Sequence, residues 1–226
     1  MTGWGSFILA FVVFFLSHAI PVRPPVKPWV VARVGARGFG IAYSILSTAI
    51  LVWLIVAANR APFAPIWDTA PWMPHVTLTV MFLVCLLLAA SIARPNPFSF
   101  GGARNARFDP AHPGVVRLTR HPLLLALALW AFAHLLSNGD LAHVILFGAF
   151  GAFALMGGRM IDRRKRRELS ARGQDHEALW AATRKGTIWP ARDQRGQALA
   201  RLLIGIGLYG ALLSLHGLVI GVVVWP

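Results

Sequence analysis

Six apolar stretches alternate along the chain with loops rich in charge, proline and glycine. They cover residues 4–20, 38–58, 75–93, 119–137, 141–158 and 202–225, the first and fourth being short enough to draw on flanking residues such as Pro21, or Thr119 and Arg120. A helix rises about 1.5 Å per residue, so about 20 apolar residues are needed to cross about 30 Å of hydrocarbon. The pattern predicts an all-α polytopic membrane protein of six transmembrane helices, forming a single membrane domain over residues 1–226.

Composition agrees with that pattern. Of 226 residues 57% are hydrophobic and only 13% charged, with a mean hydropathy of +0.62. An ordinary soluble domain is far less apolar.

Charge then orients the helices. Of the 22 Lys and Arg residues, 21 fall in loops one, three and five, leaving only Arg60 on the other face. Because basic loops are retained in the cytoplasm, the expected topology is N-out and C-out, with 159–201 as a cytoplasmic segment. The net charge of +14 is therefore a topology signal with attraction to anionic head groups, and nucleic-acid binding is not expected.

The first run, "GSFILAFVVFFLSHAI", has no basic residue before it and no small-x-small cleavage site after it, so it is read as a true helix. The single cysteine, Cys85, excludes an internal disulfide. Gly148 with Ala152, and Gly217 with Gly221, are small-xxx-small pairs suited to close helix packing. Trp4, Trp29, Trp67, Trp72, Trp189 and Trp225 stand near span ends, as interfacial aromatic residues do.

Two loops stand apart. Loop three, "RPNPFSFGGARNARFDPAHPGVVRLTRHP", is irregular until about Gly114 by its proline and glycine content. Loop five carries a helical pattern ending near Trp189-Pro190, with sparse apolar positions at Leu169, Leu179 and Trp180 that suit a helix lying at the head-group surface.

Histidines are the chemically interesting residues inside this apolar frame, since ionisable groups within a membrane face the bundle interior and are functional candidates. His18 falls near the inner end of the first helix and His121 at the inner mouth of the fourth. His134 is about 20 Å further out at 1.5 Å per residue. Steps of about 100° place His121 and His134 roughly 140° apart around that helix, so they cannot share one metal ion from it. His134 shares a face with Trp130, one turn earlier. For His75, His143 and His216 a hydrogen-bonded or interfacial side chain is expected, while His18, His121 and His134 are kept as candidate ligands.

The segments "FLSHAIPVRPPV", "RVGARGFGIAYSILSTAILVWLI", "RHPLLLALALWAFAHLLSNGDLAHVILFGAFGAFAL" and "IDRRKRRE" together resemble the NnrU family, membrane proteins named from nitrite and nitric oxide reductase gene clusters. That resemblance implies a multi-pass protein of the bacterial inner membrane, linked to denitrification. The family is similar in turn to the plant and cyanobacterial zeta-carotene isomerases, which hold a b-type haem through histidines. The likeness implies haem b, with His18, His134 and His121 as the candidate iron ligands and Trp130 beside them. Arg120, Arg117 and Arg23 would then be partners for the haem propionates. Imidazole is a common axial ligand, and an apolar bundle tunes the potential by burying charge. The implied roles are an isomerase-like activity on a lipophilic molecule entering from the bilayer, or a non-catalytic assembly or electron-transfer role beside nitrite or nitric oxide reductase components.

A second resemblance belongs to a different class. "RHP" at a helix mouth followed by "RRELSARGQDHEALWAATRKGTIWP" looks like the S-adenosylmethionine-holding segments of isoprenylcysteine carboxyl and phospholipid methyltransferases. Arg120, His121 and Pro122 match that motif, and Glu168 falls near one of its paired glutamates. Arg167 stands where the second acid is expected, and the usual tyrosines are missing from the segment.

Overall fold

A computed structural model describes residues 3–222 and 224; the end of the last predicted span, with Trp225, lies outside them. Among the described residues the fold is all-helical. The helices are α1 (Gly3–Ala19), α2 (Val26–Asn59), α3 (Met73–Ser91), α4 (Pro122–Ser137), α5 (Leu141–Ser170), α6 (His176–Lys185) and α7 (Arg195–Ile220).

Each predicted span falls on one of these helices, but their lengths differ in informative ways. Four of them, α2, α3, α5 and α7, are long and apolar enough to cross a membrane. The other two apolar helices, α1 and α4, have 17 and 16 residues, or about 25 Å at 1.5 Å per residue. To cross a bilayer, helices that short would have to draw on flanking residues or thin it.

The basic helix α2 begins well before its apolar part and is broken at Gly35, whose φ of 73° and ψ of 166° are non-helical. Only glycine adopts that conformation without a steric penalty. The opposite happens in α5, which continues beyond its apolar run through "RMIDRRKRRELS" to Ser170. More than a quarter of what looked like loop five is thus a helical extension of a span.

The described residues form two compact units. The first comprises residues up to Trp67 together with Asp140–Leu146. In it α1 packs on α2, with Phe7, Ala10, Ile50, Leu54 and Ala57 buried. At one end Leu141 N–H donates to the Ala64 carbonyl at 2.8 Å, and His143 bonds Asp140 at 2.6 Å and Asn59 at 2.9 Å.

The second unit holds Asp68–Gly139 and the chain from Phe147 onward, with α3 packed against both α4 and α7. Four buried alanines of α4, at 126, 128, 131 and 133, keep that helix thin. Thr77 of α3 uses this closeness, donating to the Ala133 carbonyl at 2.7 Å and meeting Ser137 Oγ at 2.6 Å. On α7 the Tyr209 hydroxyl donates to the Leu78 carbonyl at 3.1 Å. Leu203, Ile204, Leu215, Leu218 and Val219 of the same helix are exposed, as lipid-facing side chains are.

The predicted packing glycines do not mark the close approaches. A side chain at Gly148 or Gly221 would meet nothing within 4 Å, and Gly221 is the left-handed cap of α7 at φ 86°. The residue that lets α7 touch α3 is Gly205.

Helix α6 starts where chemistry says it should. Asp175 accepts from the N–H groups of Glu177 and Ala178 at 2.8 and 3.2 Å, satisfying two donors that a helix start leaves unpaired. Asp175→Ala should cost about 1 kcal/mol. Amide exchange in α6 should then run about fivefold faster, and unchanged exchange would show the cap to be idle.

Candidate functional site

Helix α4 starts at Pro122, where a missing N–H costs nothing. His121 therefore lies just outside the apolar helix, and its ring bonds in two directions. Its Nδ1 lies 3.1 Å from Ser99 Oγ and its Nε2 3.0 Å from Asp162 Oδ1. Burial pushes the imidazole below its ordinary pKa, and Arg120 and His176 act in the same direction while Asp162 opposes them. A neutral ring beside a carboxylate that only accepts must carry its proton on Nε2. The Ser99 hydroxyl then donates to Nδ1. A Ser–His–Asp row suggests nucleophilic catalysis, but Ser99 is 2% exposed. Its hydroxyl cannot meet a substrate, so the row works as a buried polar tie.

Around that tie the cluster grows. Arg120 Nη2 is 3.4 Å from Asp162 and Nη1 3.6 Å from Glu177, with the guanidinium 5.2 Å from the centre of the Trp180 ring. His176, at the start of α6, donates from Nδ1 to Glu177 at 3.0 Å, and its Nε2 is 3.9 Å from Asp162. Arg166 closes the row on Glu177 at 2.6 Å. Two buried atoms, Arg120 Nη1 and His176 Nε2, make no hydrogen bond. Together they could receive one polar group of a ligand.

Loop three supplies the floor. Asn96 donates from Nδ2 to the Arg120 carbonyl at 3.1 Å and accepts from Phe98 N–H at 3.0 Å. The fully buried Phe98 meets Phe108, His176 and Trp180 edge-on at 5.4 to 5.7 Å. The irregularity predicted for this loop is present, yet buried polar and aromatic anchors hold it.

The other candidate ligands lie elsewhere. His134 donates from Nδ1 to the Trp130 carbonyl at 2.9 Å, and its ring lies 5.2 Å from Trp130 and 5.1 Å from Phe147. His18 bonds the Phe14 carbonyl at 2.8 Å and stacks on Phe14 at 4.1 Å. In both, Nδ1 donates to a backbone carbonyl one turn back on its own helix. They belong to different compact units. Among the described residues no three His, Cys, Asp or Glu side chains form a group able to hold a metal ion. A haem needs only one or two imidazoles.

His75 and His216 bond backbone carbonyls at 3.0 and 2.8 Å, as expected of non-ligands. Of the arginines, Arg117 donates from Nε to the Arg184 carbonyl at 3.3 Å, while Arg23 is exposed ahead of α2.

A family model described as NnrU protein matches residues 6–224. The chain belongs to the NnrU family. No curated protein and no solved structure matches it. Within this NnrU protein, Glu168 is not a member of the Arg120 cluster. It pairs with Arg164 at 2.7 Å and Lys165 at 2.8 Å, which hold its carboxyl below the ordinary range. It lines a cavity of about 370 Å³ with Gln174 and Arg172.

Sequence reasoning missed Asp162, His176, Ser99 and Asn96. Asp162 had a visible signal, being a lone acid among the bases of "RMIDRRKRR". The others offered none, because their partners are distant in the chain.

Proposed function

We propose that this NnrU protein is a multi-pass inner-membrane protein that binds haem b and serves nitrogen-oxide metabolism, as a redox or assembly component rather than a hydrolase. The observation that carries the reading is His134. Its ring is held by the Trp130 carbonyl through Nδ1 and lies between two aromatic faces. An imidazole fixed by a second hydrogen bond is a well-oriented metal ligand. Haem bound there would supply one-electron chemistry. The surrounding Trp130, Phe147 and Phe150 would exclude water from it. His18, with the same Nδ1 arrangement, is a separate ligand candidate within the first unit.

His121 suits a different role. Both of its ring nitrogens are engaged, by Ser99 and Asp162, so it and Arg120 fit a polar clamp at the basic face. Methyl transfer has less support, because Arg120 and Glu168, which it needs together, have separate partners.

The test is an absorption spectrum of detergent-purified protein expressed with haem precursor. A Soret band is expected, and His134→Ala should abolish or shift it. No band at all, or an unchanged spectrum after single exchange of His18, His121 and His134, would sink the proposal.

A further inference from the structure

A cavity of about 300 Å³ opens where loop three meets the start of α7, away from the Arg120 cluster. Four arginines line it, Arg94, Arg104, Arg107 and Arg201, with two acids, Asp109 and Asp193. Asp109 is already taken, bonding His112 Nδ1 at 2.9 Å and Ala111 N–H at 2.8 Å. None of the ion pairs among the described residues involves any of the four arginines. Four guanidinium groups against two carboxylates, one of them already bonded to His112, leave a net positive lining that an anion would neutralise.

The backbone holds this arrangement on purpose-built geometry. Arg201 Nη1 donates to the Ala89 and Ile92 carbonyls at 2.7 and 2.8 Å, and Arg94 Nη2 to the His112 carbonyl at 3.2 Å. Gly114, at φ 58°, leaves room for the Arg94 guanidinium, which lies 2.7 Å from where a Cβ would be. Among the described residues only two that are not glycine have positive φ, Ala93 and Arg104, and both line this cavity. Strain of that kind persists where the surroundings over-determine it. Burial and the nearby Arg201 lower the affinity of Arg94 for its proton, which is the electrostatic cost a bound anion would remove.

From this geometry we infer that the cavity between loop three and α7 binds a phosphate group. Guanidinium forks match phosphate oxygens in pairs, and the volume admits a phosphate with a small substituent. The position, beside the end of α3 and the start of α7, is where the apolar part of the chain meets its basic part, so the phosphate can come from an anionic lipid head group or from a free phosphate compound.

The full chain in detergent is titrated calorimetrically with inorganic phosphate. In parallel it is placed in nanodiscs of phosphatidylcholine with or without phosphatidylglycerol, and retained lipid is read by native mass spectrometry. Arg104 and Arg107 are exposed, so the paired exchange R104Q/R107Q tests the site without disturbing the core, which an unchanged melting curve confirms. Selective retention of phosphatidylglycerol, reduced in the variant, assigns a head group. Saturable inorganic phosphate binding that weakens about tenfold per lost charged contact in the variant assigns a free phosphate. Absence of both signals, or no signal weakened in the variant, overturns the inference.

Discussion

Asp162→Ala should lower the unfolding free energy of the detergent-solubilised protein by about 2–3 kcal/mol, because it strips the central acceptor from a part-buried network. His121 would lose its 3.0 Å partner, and Arg120 would keep only Glu177 at 3.6 Å. Asp162→Asn retains an acceptor oxygen and should cost about half as much. Combining Asp162→Ala with His121→Ala should show a coupling of about 1 kcal/mol, since the two share one bond. Acid adds an independent readout. Burial lowers the pKa of His121 in the fold, so its contribution is complete above the ordinary histidine range and lost as pH falls through it. Removing the opposing carboxylate deepens that depression, and the variant should lose more stability on acidification than the parent. A variant within about 0.5 kcal/mol of the parent at every pH would show the network to be idle.

The two ends of the Asp162 network explain what was readable in advance. Apolar runs placed six helices, four of them long and apolar enough to cross a membrane, because lipid exposure imposes a continuous, local signature. Arg120 and His121 were visible because they interrupt such a run. Their partners were not, since Ser99, Asp162 and His176 come from a loop, a helix extension and a short helix that only folding brings together. The same logic explains loop five. Its sparse apolar positions suggest one surface helix, whereas α5 continues to Ser170, because eight consecutive residues from Arg159 to Arg166 contain nothing that breaks a helix, and α6 follows from His176. Trp180 was read as an interfacial apolar position, but it faces Phe98 and Arg120 within the network.

Glycines were the least legible residues. Spacing of small residues pointed at Gly148 and Gly221, yet spacing reports only that a helix face is smooth. Which smooth face meets a partner depends on where neighbouring helices cross, and that is a tertiary property.

Gly205→Leu should therefore be among the most damaging single changes in the apolar region. A Cβ there would lie 3.1 Å from Leu86 Cα and 3.2 Å from the Cys85 carbonyl oxygen. Backbone atoms cannot swing aside as a flexible side chain would, so α7 must move away from α3. Arg201 and Tyr209 stand one turn either side of Gly205, on the same face. Their bonds to the Ala89, Ile92 and Leu78 carbonyls depend on the same approach. Overpacking and the stretched bonds together should cost about 3 kcal/mol. Gly207 is the natural control, with nothing within 4 Å of its Cβ position, and Gly207→Leu should stay within about 0.5 kcal/mol of the parent. Equal melting temperatures for the two leucine variants would refute the close crossing. Because Arg201 also lines the cationic cavity, Gly205→Leu should weaken phosphate binding while Gly207→Leu leaves it intact, which ties the crossing of α3 and α7 to the anion site through one side chain.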